Sequence, residues 1–213
     1  MKVLLTGFAP FGGETLNPSW EAVKAVKAPA GMELHKLEVP VSFRASGELV
    51  CRIMDALSPD AVLCVGQAGG RREVTPERVA LNVDDASLPD NDGDRPADRP
   101  IDPFGPVAYF SDLPVKSMAQ HIRKAGVPAA LSNSAGTYVC NHLMYTVLHH
   151  GALHTPRIRG GFIHVPYIPE QVQGKGVPSL PLSQLVTALE AALSALTETP
   201  CNAQEDGSWG RIC

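Results

Sequence analysis

The chain has 213 residues, with 18 Lys+Arg against 22 Asp+Glu for a formal net charge of −4, and 44% of its residues are hydrophobic. That length suits one domain, which buries roughly 70% of the surface its unfolded chain would expose and needs neither disulfide nor metal to fold. No Lys/Arg run marks a nucleic-acid footprint, and no apolar run approaches the roughly 18 residues of a membrane helix, so neither nucleic acid nor membrane is expected as a partner.

Short apolar runs alternate with helical patterns along the chain. Residues 2–6 read as a buried strand; the apolar run at 3–5 is too short for the core of a signal peptide. Asn17-Pro18 opens a helix, because Asn is a good N-cap and Pro suits the first helical position. Residues 34–39 read as a second strand, and 42–57 as a helix with Leu49, Ile53 and Leu57 four apart. Residues 61–65 form an apolar strand stopped by Gly66, of the kind a parallel sheet covers on both faces. Residues 74–83 have extended character and are a candidate hairpin or antiparallel strand. Residues 84–106, rich in Asp, Pro and Gly, read as a long loop that is functional or mobile. A helix at 114–125, a short strand at 129–131 and a helix at 138–150 ended by Gly151 follow. A strand at 161–165 and a last helix striped by Leu182, Leu185, Val186, Leu189, Leu193 and Leu196 complete the series.

This alternation predicts an α/β fold: a largely parallel twisted sheet, open to mixed pairing, with helices on both faces. One domain is expected over residues 1–199, with an irregular tail at 200–213.

Five cysteines, Cys51, Cys64, Cys140, Cys201 and Cys213, are odd in number and widely spaced, with no C-x-x-C pair. Reduced thiols in a cytoplasmic protein are therefore expected. Cys140 differs from the rest, because it follows a small-residue turn and opens a helix. Free N–H groups and the helix dipole there stabilise a thiolate, and can donate to the oxyanion formed when an amide carbonyl is attacked. Most free cysteines merely fill space, and that reading stays open on position alone.

His164 ends a strand, where open α/β sheets gather their active sites, and imidazole titrates in the range a base for a thiol needs. A hydrogen-bonded structural His is the competing reading. Glu77, beside Arg78, reads alone as an ordinary exposed pair, although a carboxylate is the usual partner for a catalytic His. Phe8 and Phe11, on the glycine-rich loop after the first strand, either wall a small apolar pocket or cover the core. Gln67 can read an amide or bond its own turn. No H-E-x-x-H is present, and Gly151 should break the helix between His150 and His154, so neither metal nor cofactor is expected.

Four separated blocks carry a stronger signal: LLTGFAPFGGETLNPSW, GQAGGRREVTPERVALN, SNSAGTYVCNHLMY and HVPY, with a PDNDGDRP loop between. Together they resemble the pyroglutamyl peptidase I family, over Val3 to about Pro169. The resemblance implies an open three-layer α/β/α sandwich and a cysteine omega-peptidase that removes an N-terminal pyroglutamyl residue from peptides. It assigns Cys140 as nucleophile, His164 as general base and acid, and Glu77 as the residue orienting His164. It implies Phe8 and Phe11 flanking the lactam, Asn17 and Gln67 at or near the substrate, and Arg71 in support. Tetramers without metal are the family's habit. Another thiol amidase on this fold, a non-catalytic pyroglutamyl-binding module, and a nucleoside hydrolase or phosphorylase are the alternatives.

Overall fold

The structure is a computed structural model that describes residues 1–197. The apolar runs become the parallel strands β1 (Lys2–Phe8), β2 (Glu33–Val39), β3 (Ala61–Gln67) and β7 (Arg159–Val165). With β4 (Thr75–Glu77) antiparallel on the edge of β7, they form one sheet in the order β2-β1-β3-β7-β4. A separate ribbon pairs β5 (Val79–Leu81) with β6 (Ala108–Phe110). The extended stretch at 74–83 is thus split, and its first half is the antiparallel strand.

Strand alternation sends successive side chains to opposite layers. Val3, Leu5, Leu63, Val65 and Ile163 pack with α1 (Pro18–Ala25), α3 (Val115–Lys124) and α5 (Leu182–Ser194). Leu4, Phe8, Val62, Cys64 and Phe162 pack with α2 (Phe43–Leu57) and α4 (Val139–Leu153). The result is a three-layer α/β/α sandwich with a mixed, mostly parallel sheet. Each fully buried large side chain contributes roughly 1.5–3 kcal/mol of transfer free energy. The helix starts follow their caps: Asn17 Oδ1 accepts from Ser19 N at 3.1 Å, and Ser42 Oγ accepts from Ala45 N at 2.9 Å. Such a cap stabilises by about 1 kcal/mol.

Two local readings are corrected and two are sharpened. β3 does not stop at Gly66, which pairs in register with His164. Glycine is needed there because a Cβ would come within 2.9 Å of Cys140 Sγ and 2.8 Å of the Phe162 ring. α4 does not end at His150 but runs through Gly151 to Leu153. Gly151 lets the helix meet the next segment, since a Cβ would overlap the Ile158 carbonyl oxygen. Residues 129–131 form no regular strand, but their segment runs parallel beside β4: Ala130 N–H donates to Val74 O and Ser132 N–H to Pro76 O, both at 3.1 Å, with bridges at Val74–Ala129 and Glu77–Ser132. The long loop expected at 84–106 is present and is held to the body by hydrogen bonds. Asp90 accepts from the N–H groups of Phe43 (2.8 Å), Asp92 and Asp94 (both 2.9 Å), and Asp84 meets His142 at 3.0 Å. The tail at 200–213, with Cys201 and Cys213, lies outside the described residues.

Candidate active site

The parallel strands deliver their loops to one end of the sheet, where ligands of open α/β folds bind. Cys140 is the second residue of α4, and its N-cap, Tyr138, makes no side-chain capping bond. The turn before it reverses at Gly136, whose φ of 83° suits glycine. Cys140 Sγ lies over Gly66, and Gly66 sits beside His164 in the ladder. Parallel partners point their side chains to the same layer, so thiol and imidazole share one face at the ends of β3 and β7.

His164 is 4% exposed, and its ring packs on Phe162 with centroids 4.8 Å apart. Its Nδ1 is 2.7 Å from Glu77 Oε1. Glu77 is fully buried on β4, reached because β4 pairs antiparallel with β7 and sets Glu77 opposite Phe162. Arg71 donates to the same Oε1 at 2.6 Å and touches the Thr75 hydroxyl. A chain Arg71–Glu77–His164 thus runs inward from half-exposed guanidinium to buried ring. A carboxylate at Nδ1 places the proton of the neutral ring on Nδ1 and leaves Nε2 as a lone pair.

Burial pushes the Glu77 carboxyl up, but the His164 hydrogen bond and the charges of His164 and Arg71 outweigh it, and Glu77 stays below the usual carboxylate range. Its Oε2 makes no hydrogen bond of normal geometry; the Ser132 hydroxyl adds the weakest of the favourable contributions. For His164, burial wins over Glu77, and the ring is held below the ordinary imidazole range. Burial, with the Glu77 charge behind it, pushes the Cys140 thiol up to about 12. Desolvation of the sulfur thus opposes the thiolate that the helix terminus favours. Cys140 is only half-buried and opens on a cleft, so water in the free site moderates this rise until substrate displaces it.

That cleft has a volume of about 220 Å³. Phe8, Phe11, Val41, Tyr138 and Tyr167 give its walls, and Asn17, Gln67 and Glu14 its polar points. The ring of Phe11 packs on Tyr138 at 5.5 Å, and Tyr138 packs on buried Phe43 at 5.3 Å, so the wall is backed by core. Asn17 borders the cleft with both amide atoms in use: Oδ1 caps α1, and Nδ2 donates to the Ala9 carbonyl at 3.0 Å. It fixes the loop that carries Phe11; Phe8, read from the sequence as a loop residue, is instead the buried last residue of β1. Arg71 stands behind Glu77.

Tyr138, Tyr167 and Gln171 are site residues that sequence reasoning missed. Gln171 is buried, and its Oε1 accepts from Ile168 N at 3.2 Å, which makes its NH2 the donor to Gln67 Oε1 at 3.0 Å. Gln67 lines the cleft with its Oε1 already engaged, which leaves its NH2 as the group to offer a ligand. Nothing in the sequence marks Gln171; Tyr167 at least lies in the HVPY block. A larger cavity of about 490 Å³ lies at the other end of the sheet, among Met1, Asp60, Arg157 and Arg159, and has no thiol in its lining.

An α/β/α sandwich with a thiol, an imidazole and a carboxylate gathered at the carboxyl ends of its strands has the architecture of a thiol hydrolase. The family model described as pyroglutamyl peptidase matches residues 1–199. The chain is 54% identical over 198 residues to the pyrrolidone-carboxylate peptidase of Levilactobacillus brevis, covering 92% of this chain and 97% of that one. It is 52% identical over 201 residues to that of Streptomyces coelicolor, covering 93% of each. The crystal structure of pyroglutamyl peptidase I from Bacillus amyloliquefaciens superposes with a TM-score of 0.88 at 49% identity, over 92% of this chain and 96% of that one. The chain belongs to the pyroglutamyl peptidase family.

Proposed function

We propose that this protein hydrolyses the amide bond after an N-terminal pyroglutamyl residue, with Cys140 as nucleophile, His164 as general base and acid, and Glu77 orienting His164. The observation that carries this reading is the Arg71–Glu77–His164 chain beside Cys140, opening on a small aromatic cleft with one amide donor to offer. Family membership supports it independently.

A pyroglutamyl terminus has no ammonium group, so its pocket needs flat apolar walls and a few groups that read a lactam. Phe8, Phe11, Tyr138 and Tyr167 supply walls; the NH2 of Gln67 suits the lactam carbonyl. Burial, which raises the Cys140 thiol and lowers His164, favours a neutral thiol beside a neutral imidazole before attack. As sulfur bonds to the scissile carbonyl carbon, His164 Nε2 takes the thiol proton, and the new imidazolium is stabilised by Glu77. The carbonyl oxygen gathers negative charge facing the uncapped N–H groups of the first turn of α4. The C–N bond then breaks, His164 protonates the leaving amine, and a water deprotonated by His164 cleaves the thioester, returning the thiol. This route takes residues 1–199 as one hydrolytic domain.

The test is release of a fluorescent amine from a pyroglutamyl amide, with prolyl and glutaminyl amides beside it, before and after alkylation. Release from the pyroglutamyl amide alone, abolished by alkylation, is expected. Turnover of the other amides identifies a different thiol amidase, and binding without release identifies a non-catalytic module.

The finer setting belongs to the same reading. A catalytic thiol must stay reduced, and Cys51, Cys64 and Cys140 are all unpaired, which supports a cytoplasmic location. Among the described residues no helix is long and apolar enough to cross a membrane. Exposed Phe104, Val107 and Phe110 crowd the β6 side of the molecule and support association of copies, up to a tetramer. Sedimentation gives the subunit number directly.

A further inference from the structure

At the far end of α4, three side chains outside the cleft converge. His150 Nε2 lies 2.7 Å and His154 Nε2 lies 3.1 Å from the same Asp55 Oδ1 at the end of α2, and the two Nε2 atoms are 3.2 Å apart. Because α4 continues through Gly151, His150 lies on its last turn and His154 is the C-cap residue just beyond Leu153, where the extended backbone returns its imidazole to His150.

Protons alone satisfy this triangle poorly. With either Nε2 bare, its lone pair faces a carboxylate oxygen. The tautomer in which both rings donate to Asp55 crowds the two N–H groups 3.2 Å apart, whereas a cation at the centre turns all three lone pairs into bonds. The size fits as well. Bonds of ~2.0–2.2 Å to imidazole and carboxylate place neighbouring ligand atoms about 2.8–3.6 Å apart, from octahedral to tetrahedral geometry. The side chains of His150 and His154 are about a quarter exposed and that of Asp55 58%, so an ion can enter from solvent and keep water on its open positions. Two imidazoles with one carboxylate favour zinc and the late first-row ions over magnesium or calcium, which prefer oxygen alone.

We propose that Asp55, His150 and His154 bind one divalent transition-metal ion of the zinc type, which clips the end of α2 to the end of α4. The site is separate from the thiol: ten residues of helix place His150 roughly 15 Å from Cys140.

Zinc chloride is titrated calorimetrically into the full chain carrying Cys140→Ser, and into the same chain carrying His150→Gln and His154→Gln as well. One zinc per chain is expected in the first, insensitive to excess magnesium and weakening as pH falls because protons compete for imidazole. The second should bind at least ~30-fold more weakly, given the roughly 10–100-fold cost of disturbing even outer-shell groups. No saturable binding, or equal affinity in both, overturns the site. On the unsubstituted protein, anomalous diffraction at the zinc edge should show an ion between the three side chains; a peak only at a cysteine overturns the site equally.

Discussion

The two ends of α4 make opposite use of one helix. Its head presents N–H groups and a half-buried thiol to the smaller cleft, about 220 Å³. Its tail presents two imidazoles to a carboxylate near a larger cavity, about 490 Å³, that His154 also lines. Oxyanion charge at the head, as the proposed reaction requires, and a cation at the tail, as the proposed metal site requires, would both complement the helix dipole. Volume is a poor guide to which end does chemistry. The head is distinguished by a buried imidazole–carboxylate pair behind the thiol: Glu77 is fully buried and His164 4% exposed, whereas Asp55 at the tail is largely open to water.

The sharpest way to break this contrast is at the head. Cys140→Ser should lower kcat/KM for a pyroglutamyl amide by about 10⁴-fold or more, since a nucleophile acts as a unit with its base. Steady-state kinetics at equal melting temperature checks it.

Glu77→Gln should lower kcat by roughly 10²–10⁴-fold through loss of the correct tautomer. It should also move the acid limb of the pH profile. The free enzyme loses activity as pH falls through the pKa of His164, already below the ordinary imidazole value. Glu77 raises that pKa, so its removal shifts the limb further down in pH, and kcat/KM against pH reads the displacement. An upward shift would contradict the assigned roles.

Gln67→Leu should erode the preference for pyroglutamyl over prolyl amides, because an unpaired lactam group costs about 1–3 kcal/mol, or roughly 5- to 150-fold. Gln171→Leu leaves Gln67 in place but frees its amide to turn; a rise in KM of about 3- to 10-fold, with kcat nearly unchanged, is expected from a single neutral hydrogen bond. At the tail, His150→Gln should leave turnover of the same amide within about twofold, as a surface change away from the reacting groups. A large loss there would show that the two ends are coupled.

Much of the fold was legible in the sequence because strand and helix periodicities are local. The apolar run at β3 and the Asn17-Pro18 and Ser42 starts needed no distant information. Gly66 and Gly151 misled for one reason: each reads locally as a stop, yet each is there to let another segment approach. The split of residues 74–83 between two sheets depended on which edge was vacant. In the site, Cys140 and His164 carried local marks, a helix head and a strand end. Glu77 read locally as an exposed partner of Arg78, and only the four-block resemblance singled it out; antiparallel pairing with β7 buries it. Gln171 carried no mark, because its function is one hydrogen bond to Gln67, 104 positions away.

By itself, then, the sequence determined the layered α/β architecture, the position of the thiol at a helix start and, through its motif blocks, the family. The tertiary structure decided which charges are desolvated, that Gln171 holds the Gln67 amide, and that His150 and His154 converge on Asp55. Periodicity and caps act over a few residues and are written in local order. Burial, ionisation and side-chain convergence depend on segments far apart in the chain, and exist only once the sheet has brought them together.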